Sequence, residues 1–376
     1  MLNNIIGQEK VKNFIKNIHV NERFHHAYIF HGKKGVGKDA SAIEFAKILN
    51  CDHLDDEYGA CDVCRTCKDI QKFQSRYVKY ITALPVSKSE NDNDNVLNSL
   101  SVSDYELYYA ELEKKSKDLY YKINIPKANN IRIDSIRQLI KEAFLTVESK
   151  RKKVFIISNC DMMKPEASNS LLKILEEPPP NTVIILTTSR LYSLVPTIIG
   201  RCQKIKFDPL SKKNIIDYLK KINPEITDIE AELYSQLAQG SLGIFQELDI
   251  DNFLKLRDSV INALRNLLAR RYLELNREIT KITAAKNKNI IKLALLILII
   301  WFRDINSYYC SEEDNFIFKD LSFNIKKFGK SFKADVFKII TKLEDTFRDV
   351  DFNLNPDLMF NKLLYEIKSN IVTSRN

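Results

Sequence analysis

The chain has 376 residues, enough for two or three domains with cores of ordinary size. Its composition, 44% hydrophobic and 28% charged, is that of a soluble globular protein and not of a fibrous or disordered one. Lys and Arg outnumber Asp and Glu by 58 to 49, a formal charge of +9, which suits nucleic acid or another acidic partner as well as a simple solvated surface.

The opening stretch, MLNNIIGQEKVKNFI, lacks a basic segment followed by an apolar run, so no signal peptide and a cytoplasmic location are expected. HAYIFHG alternates like a strand and stops at Gly32, and KDASAIEFAKILNC follows with Ile43, Phe45, Ala46 and Leu49 at helical spacing. A cysteine-rich insert covers 51–67, and a polar region of about 87–130 reads as a mobile insertion with some helix. IRIDSIRQLIKEAFL is a predicted helix with Asp134 or Ser135 near its start, and KKVFIISNCD is a buried strand. KPEASNSLLKILEE is a helix ended by Pro178, Pro179 and Pro180, and TVIILTTS is a second buried strand. Alternating helices and continuously apolar strands predict an α/β parallel sheet covered on both faces. From about Pro209 the strands stop, leaving a small helical unit and then a longer all-helical one, joined near GSLGIFQELDID. The most apolar run, Ile290 to Phe302, is too short for a bilayer and contains Lys292; it predicts a buried helix, so no membrane partner is expected.

HGKKGVGKDA meets the phosphate-loop pattern G-x-x-x-x-G-K-[ST] except at its last position. Gly32, Gly35 and Gly37 would turn backbone N–H groups toward a phosphate, and Lys38 would reach the outer phosphates. Asp39 replaces the hydroxyl that holds Mg²⁺, and Ser158 and Asn159 stand where a hydrolysing enzyme carries acids at the end of a second strand. ATP binding is therefore expected to be weak or absent, and hydrolysis is not expected. Cys51, Cys61, Cys64 and Cys67 have the spacing C-x9-C-x2-C-x2-C, which predicts a closed, structural Zn²⁺ site; an iron–sulfur cluster is the alternative. His53 is a possible substitute ligand, and Cys160, Cys202 and Cys310 read as buried small apolar residues. Glu176 and Glu177 read as solvated charge at a helix end, and the basic run Lys150–Lys153 as a solvated loop.

IIGQEKVKNFI, HHAYIFHGKKGVGK, the four-cysteine insert, ASNSLLKILEEPPPNTVIILTT and PTIIGRCQ, in this order from about Ile5 to Lys206, resemble bacterial clamp-loader subunits of the AAA+ class. The resemblance implies an AAA+ nucleotide-binding-like domain over 1–207, a helical lid over 208–248 and an all-helical collar over 249–376. Two kinds of subunit share this plan, a gamma/tau motor that hydrolyses ATP and a delta-prime type that is weak or inactive. Asp39, the Ser158–Asn159 pair, Gly243 at the motor's sensor-2 arginine position and the lack of the long tau extension imply the delta-prime type. On that likeness Arg201, in the GRC sequence after Gly200, would act as an arginine finger on a neighbour's ATP, and Thr187 and Thr188 lie at the sensor-1 position, with Thr188 expected among the nucleotide-binding residues. The implied partners are the motor and delta subunits of a hetero-pentamer and, through it, the sliding clamp and primed DNA. A gamma/tau-like motor and a zinc-dependent nucleic-acid binder on an AAA+ scaffold are the competing readings.

Overall fold

The computed structural model describes residues 4–21, 23–54, 59–85, 96–145, 151–243, 250–284, 287–312, 315–350 and 355–373. The chain divides into two compact units, Met1–Pro224 with Ala238–Gly243, and Glu225–Leu237 with Ile244–Asn376.

The first unit is built on five parallel strands: β1 (Ala27–His31), β2 (Val78–Ile81), β3 (Lys153–Ile157), β4 (Thr182–Thr188) and β5 (Gln203–Lys206), in the order β2-β3-β4-β1-β5. Their side chains alternate between two cores. Tyr28, Phe30, Val154, Ile156, Val183 and Ile185 join one with Ile43 and Phe45 of α2 (Lys38–Ile48). Ala27, Ile29, Phe155, Ile157, Ile184 and Leu186 join the other with α5 (Ile133–Phe144) and α6 (Pro165–Glu176). This two-sided burial is why the strands read as continuous apolar runs. The chain crosses from β1 to the far edge at β2 and returns through β3 and β4, so β1 and β4 become neighbours with their carboxyl ends on one rim.

The first unit also contains α1 (Glu9–Val20), α3 (Arg65–Gln71), α4 (Val102–Lys117), α7 (Pro196–Arg201) and α8 (Lys212–Ile222). The polar insertion contains a helix, as expected, and that helix is packed. Its residues 87–95 lie outside the described ones, but α4 is a helix whose Tyr108 and Leu112 are buried with Leu84, Val96 and Ile125 in a core of their own. Strands β2 and β5, four residues each and only partly buried, form the two edges of the sheet.

The second unit holds α9 (Asp228–Leu237), α10 (Ile250–Leu268), α11 (Tyr272–Thr283), α12 (Lys288–Tyr309), α13 (Ser322–Ser331), α14 (Val336–Asp349) and α15 (Pro356–Ser369). The segment 208–248 thus contributes α8 to one unit and α9 to the other, and 244–249 lie outside the described residues. The apolar run forms the middle of α12, where Leu295, Ile297, Leu298 and Phe302 are buried. No helix among the described residues is long and apolar enough to cross a membrane. The helical pattern is interrupted once, by the three-residue strands β6 (Phe332–Ala334) and β7 (Ile371–Thr373), which pair antiparallel.

Candidate nucleotide and metal sites

The phosphate loop lies where the sequence puts it, between β1 and α2. Its crest and its end cannot carry side chains. Gly35 (φ +70) has Gly243 N 2.4 Å from where a Cβ would stand, and Gly37 (φ +96) has the Tyr120 hydroxyl at 2.7 Å. Gly32 packs on the backbone of Phe207, whose carbonyl oxygen lies 2.5 Å from the same construction. Gln8 braces the loop by donating to the carbonyls of Val36 and Asp208 at 3.1 and 2.7 Å. The Leu242 N–H donates to the Gly35 carbonyl at 3.0 Å, so the 241–243 turn, including Gly243, rests on the loop.

Lys38 turns back on its own loop. Its Nζ donates to the carbonyls of Gly32 at 2.9 Å and Lys33 at 2.6 Å. Burial outweighs the nearby Asp39 and Asp161 and lowers its ammonium to about 8.

Asp39 is engaged by three hydroxyls and an ammonium. Thr187 donates to Oδ1 at 2.6 Å, Ser158 and Tyr80 donate to Oδ2 at 2.7 and 2.9 Å, and the Lys115 ammonium stands 3.8 Å from Oδ2. Burial alone would raise this carboxyl, but Lys115 and the three hydroxyls hold it below the ordinary carboxylate range. The usual division of labour is inverted: here the loop carries the acid and the strand end carries the hydroxyl. Asn159 adopts left-handed backbone (φ 51) and donates its Nδ2–H to the Ser158 hydroxyl at 3.2 Å.

Alternation along β4 separates the two threonines. Thr187 faces the loop through Asp39. Thr188, the one expected to contact nucleotide, donates to Asp161 at 2.8 Å and accepts the Arg190 N–H at 2.9 Å. Asp161 is closed by Arg190 as well, with Nε and Nη2 both at 2.9 Å.

Arg201 ends α7, at a distance along the sequence from all of these groups. Its Nη2 pairs with Glu176 Oε1 at 2.7 Å and its Nη1 donates to the Thr197 carbonyl at 3.0 Å. Glu176 is therefore a partner for this arginine rather than free charge. A Cβ at Gly200 would meet nothing within 4 Å, so the serine usual in the resembled family would fit there.

The four cysteines converge. The Sγ atoms of Cys51, Cys61, Cys64 and Cys67 all lie within 4.8 Å of one another. Four Zn–S bonds of about 2.3 Å give S–S edges of about 3.8 Å, so the cluster has the size of a tetrahedral site. Burial opposes ionisation of Cys61, but N–H donors from Cys64 and Val63 outweigh it and bring the thiol down to about 6. His53 offers its carbonyl, which accepts from Cys51 Sγ at 3.0 Å, and its ring is not in the cluster. Of the remaining cysteines, Cys160 and Cys202 are buried as expected and Cys310 is exposed.

Two sets of charges, one of them from the basic run read as a solvated loop, fasten this module to its neighbours. Buried Lys47 of α2 pairs with Glu44 at 2.7 Å and with Asp62 at 2.8 Å. Arg151 pairs with Asp52 at 2.6 Å and donates to the Asn50 carbonyl at 3.0 Å. The basic run is thus partly structural, since Lys153 also donates to the carbonyls of Glu142 and Ala143 at the end of α5. Lys150 lies outside the described residues.

The sheet order, with loop, Ser158 and Thr187 meeting at the rim of β1, β3 and β4, is that of the AAA+ fold. Residues 7–211 match the family described as DNA polymerase III, delta subunit. The chain belongs to this family. It is 29% identical over 323 residues to DNA polymerase III subunit delta' of Bacillus subtilis, covering 85% of this chain and 83% of that one. It is 30% identical over 241 residues to DNA polymerase III subunit tau of the same organism, covering 64% of this chain and only 33% of that one. A gamma subunit-related protein of Thermotoga maritima overlays with a TM-score of 0.45 at 18% identity, covering 96% of this chain and 99% of that one. As a member of a clamp-loader family, the chain has other clamp-loader subunits as its implied partners.

Proposed function

We propose that the chain is a delta-prime-like stator of the bacterial DNA polymerase III clamp loader. In this reading it helps load the sliding clamp onto primed DNA, supplies Arg201 to the ATP of a neighbouring gamma/tau-type motor, and hydrolyses no ATP itself. The observation that carries the reading is Asp39 in place of the loop hydroxyl, a carboxylate already engaged by Ser158, Thr187, Tyr80 and the Lys115 ammonium. An exposed guanidinium held, among the described residues, by Glu176 and a helix carbonyl supports the role of Arg201, because such a group can be handed to a phosphate at low cost. The helical segments 208–248 and 249–376 are assigned as lid and collar, with the collar joining the chain to the motor and delta subunits in a cytoplasmic pentamer. In a reconstituted loader, omission of this chain is expected to abolish clamp loading onto primed DNA, while the chain alone turns over no ATP. Motor-like turnover by the isolated chain would refute the stator role.

We assign Zn²⁺ to Cys51, Cys61, Cys64 and Cys67, as a structural ion with no open position. Metal analysis of the purified chain is expected to give one zinc equivalent, and chelation to lower the melting temperature, since Asp62 and Asp52 are anchored from within the module. A metal-free chain that melts at the same temperature would contradict this assignment.

A further inference from the structure

We propose that the nucleotide position is filled by the chain itself: residues 115–121, at the end of the polar insertion, form a built-in plug in which Lys115 faces Asp39 and Tyr120 covers Gly37. This goes beyond the loss of hydrolysis, because a site that has lost only its metal support can still hold ATP, whereas a filled one cannot.

Three observations place the plug. The Lys115 side chain is 2% exposed, stands 3.8 Å from Asp39 Oδ2, and donates to the carbonyls of Leu119 at 3.1 Å and Tyr121 at 2.7 Å. The loop 118–121 thus wraps an ammonium that supplies, opposite Asp39, the positive charge a bound cation would bring. Tyr120 stands on the end of the phosphate loop: its hydroxyl and ring edge lie 2.7 and 2.9 Å from a Cβ built on Gly37. Its hydroxyl also accepts the Ile6 N–H at 2.7 Å, and its ring packs on Tyr218 of α8 with centroids 5.9 Å apart. Lys38, meanwhile, spends its ammonium on the loop's own carbonyls. The loop lysine, the acid that follows it and the backbone at Gly37 are thus all engaged internally.

The plug is fastened from behind. Glu111, buried at 3% exposure, accepts from Tyr121 at 2.9 Å, from the Asn124 N–H at 2.7 Å and from Lys114 at 2.7 Å. Asp118 accepts the Tyr120 N–H at 2.9 Å and the Tyr218 hydroxyl at 3.1 Å. Leu119 is part of the main core on that face of the sheet. Entry of a nucleotide would require these groups to leave together, and the apparent affinity falls by the fraction of time the plug is open.

Calorimetric titration of the full chain with ATP and Mg²⁺ tests this, alongside hydrogen exchange of residues 112–121. The wild type is expected to show no saturable binding up to about 1 mM and no change in exchange on adding ATP. The variant Asp39→Thr/Lys115→Ala/Tyr120→Ala is expected to bind about 100-fold more tightly than that limit. Micromolar binding by the wild type, or ATP-induced exposure of 112–121, would overturn the plug. So would a folded triple variant that binds no better than the wild type. If that variant does not fold, the wild-type titration and exchange decide the matter alone. Failure here leaves the stator role intact so long as motor turnover still depends on Arg201.

Discussion

Replacing Arg201 by alanine is expected to lower ATP turnover at the neighbouring motor subunit by about 10³-fold or more, the range known for arginine fingers in phosphoryl transfer. The effect is large because the guanidinium neutralises charge on the transferring phosphate. The change should cost the chain itself little. The ion pair with Glu176 is half exposed, with side-chain exposures of 36% and 50%, and such pairs contribute about 0–1 kcal/mol. For the same reason the arginine can leave Glu176 at low cost when a phosphate is offered. Arg201→Lys is expected to fail nearly as badly, since an ammonium cannot present the planar fork of a guanidinium. Glu176→Gln should retain turnover. Steady-state ATPase of the assembled loader, with the melting temperature of each variant as a control, measures all three. Unchanged turnover in Arg201→Ala would remove the finger from the account.

Asp39→Asn is expected to destabilise the chain by about 3 kcal/mol, because it leaves the buried Lys115 ammonium without its acid. The low end of the range for buried pairs applies, since the Asp39 side chain keeps 23% of its surface exposed while that of Lys115 keeps 2%. Adding Lys115→Met should recover most of the loss, a coupling of about 2 kcal/mol readable from urea unfolding. The two partners respond differently to their setting. Burial lowers the Lys115 ammonium despite Asp39, whereas Asp39 is held low because three hydroxyls assist Lys115. The carboxylate is therefore the group to titrate. Its folded pKa lies below the unfolded value of about 3.9, so its contribution is fully present above that value and is lost as pH falls through the folded one. The stability difference between wild type and double variant should accordingly shrink below about pH 4. A difference that holds constant into acid would show that Asp39 is not held as an anion.

What could be read in the sequence was local. The phosphate loop declared itself through glycine spacing, the metal site through two C-x2-C steps, and β1, β3 and β4 through apolar runs that two-sided burial demands. The edge strands β2 and β5 were illegible because each buries a single residue, Val78 in VKYI and Ile205 in QKIK. In the insertion the helix was legible but its burial was not, for a different reason. A stretch such as AELEKKSKDLYY reads as solvated charge, yet Glu111 and Lys115 are buried, satisfied by the loop that folds back after the helix and, for Lys115, by distant Asp39, which no periodicity reveals. The choice between Thr187 and Thr188 depended on which face of β4 met the loop, which one residue of register decides. One signal did exist for the plug: an acid at position 39 needs a cation, and Lys38 is consumed by its own loop. The same holds for Lys47 and Arg151, whose roles rest on the folded position of the cysteine module.

The most direct test of the account is ATP hydrolysis by a reconstituted loader in which the motor subunits have lost their phosphate-loop lysines and this chain is wild type. The account predicts no turnover, because Asp39, Lys115 and Tyr120 close the remaining loop. Residual turnover that disappears on Lys38→Ala would contradict it and make this chain a motor.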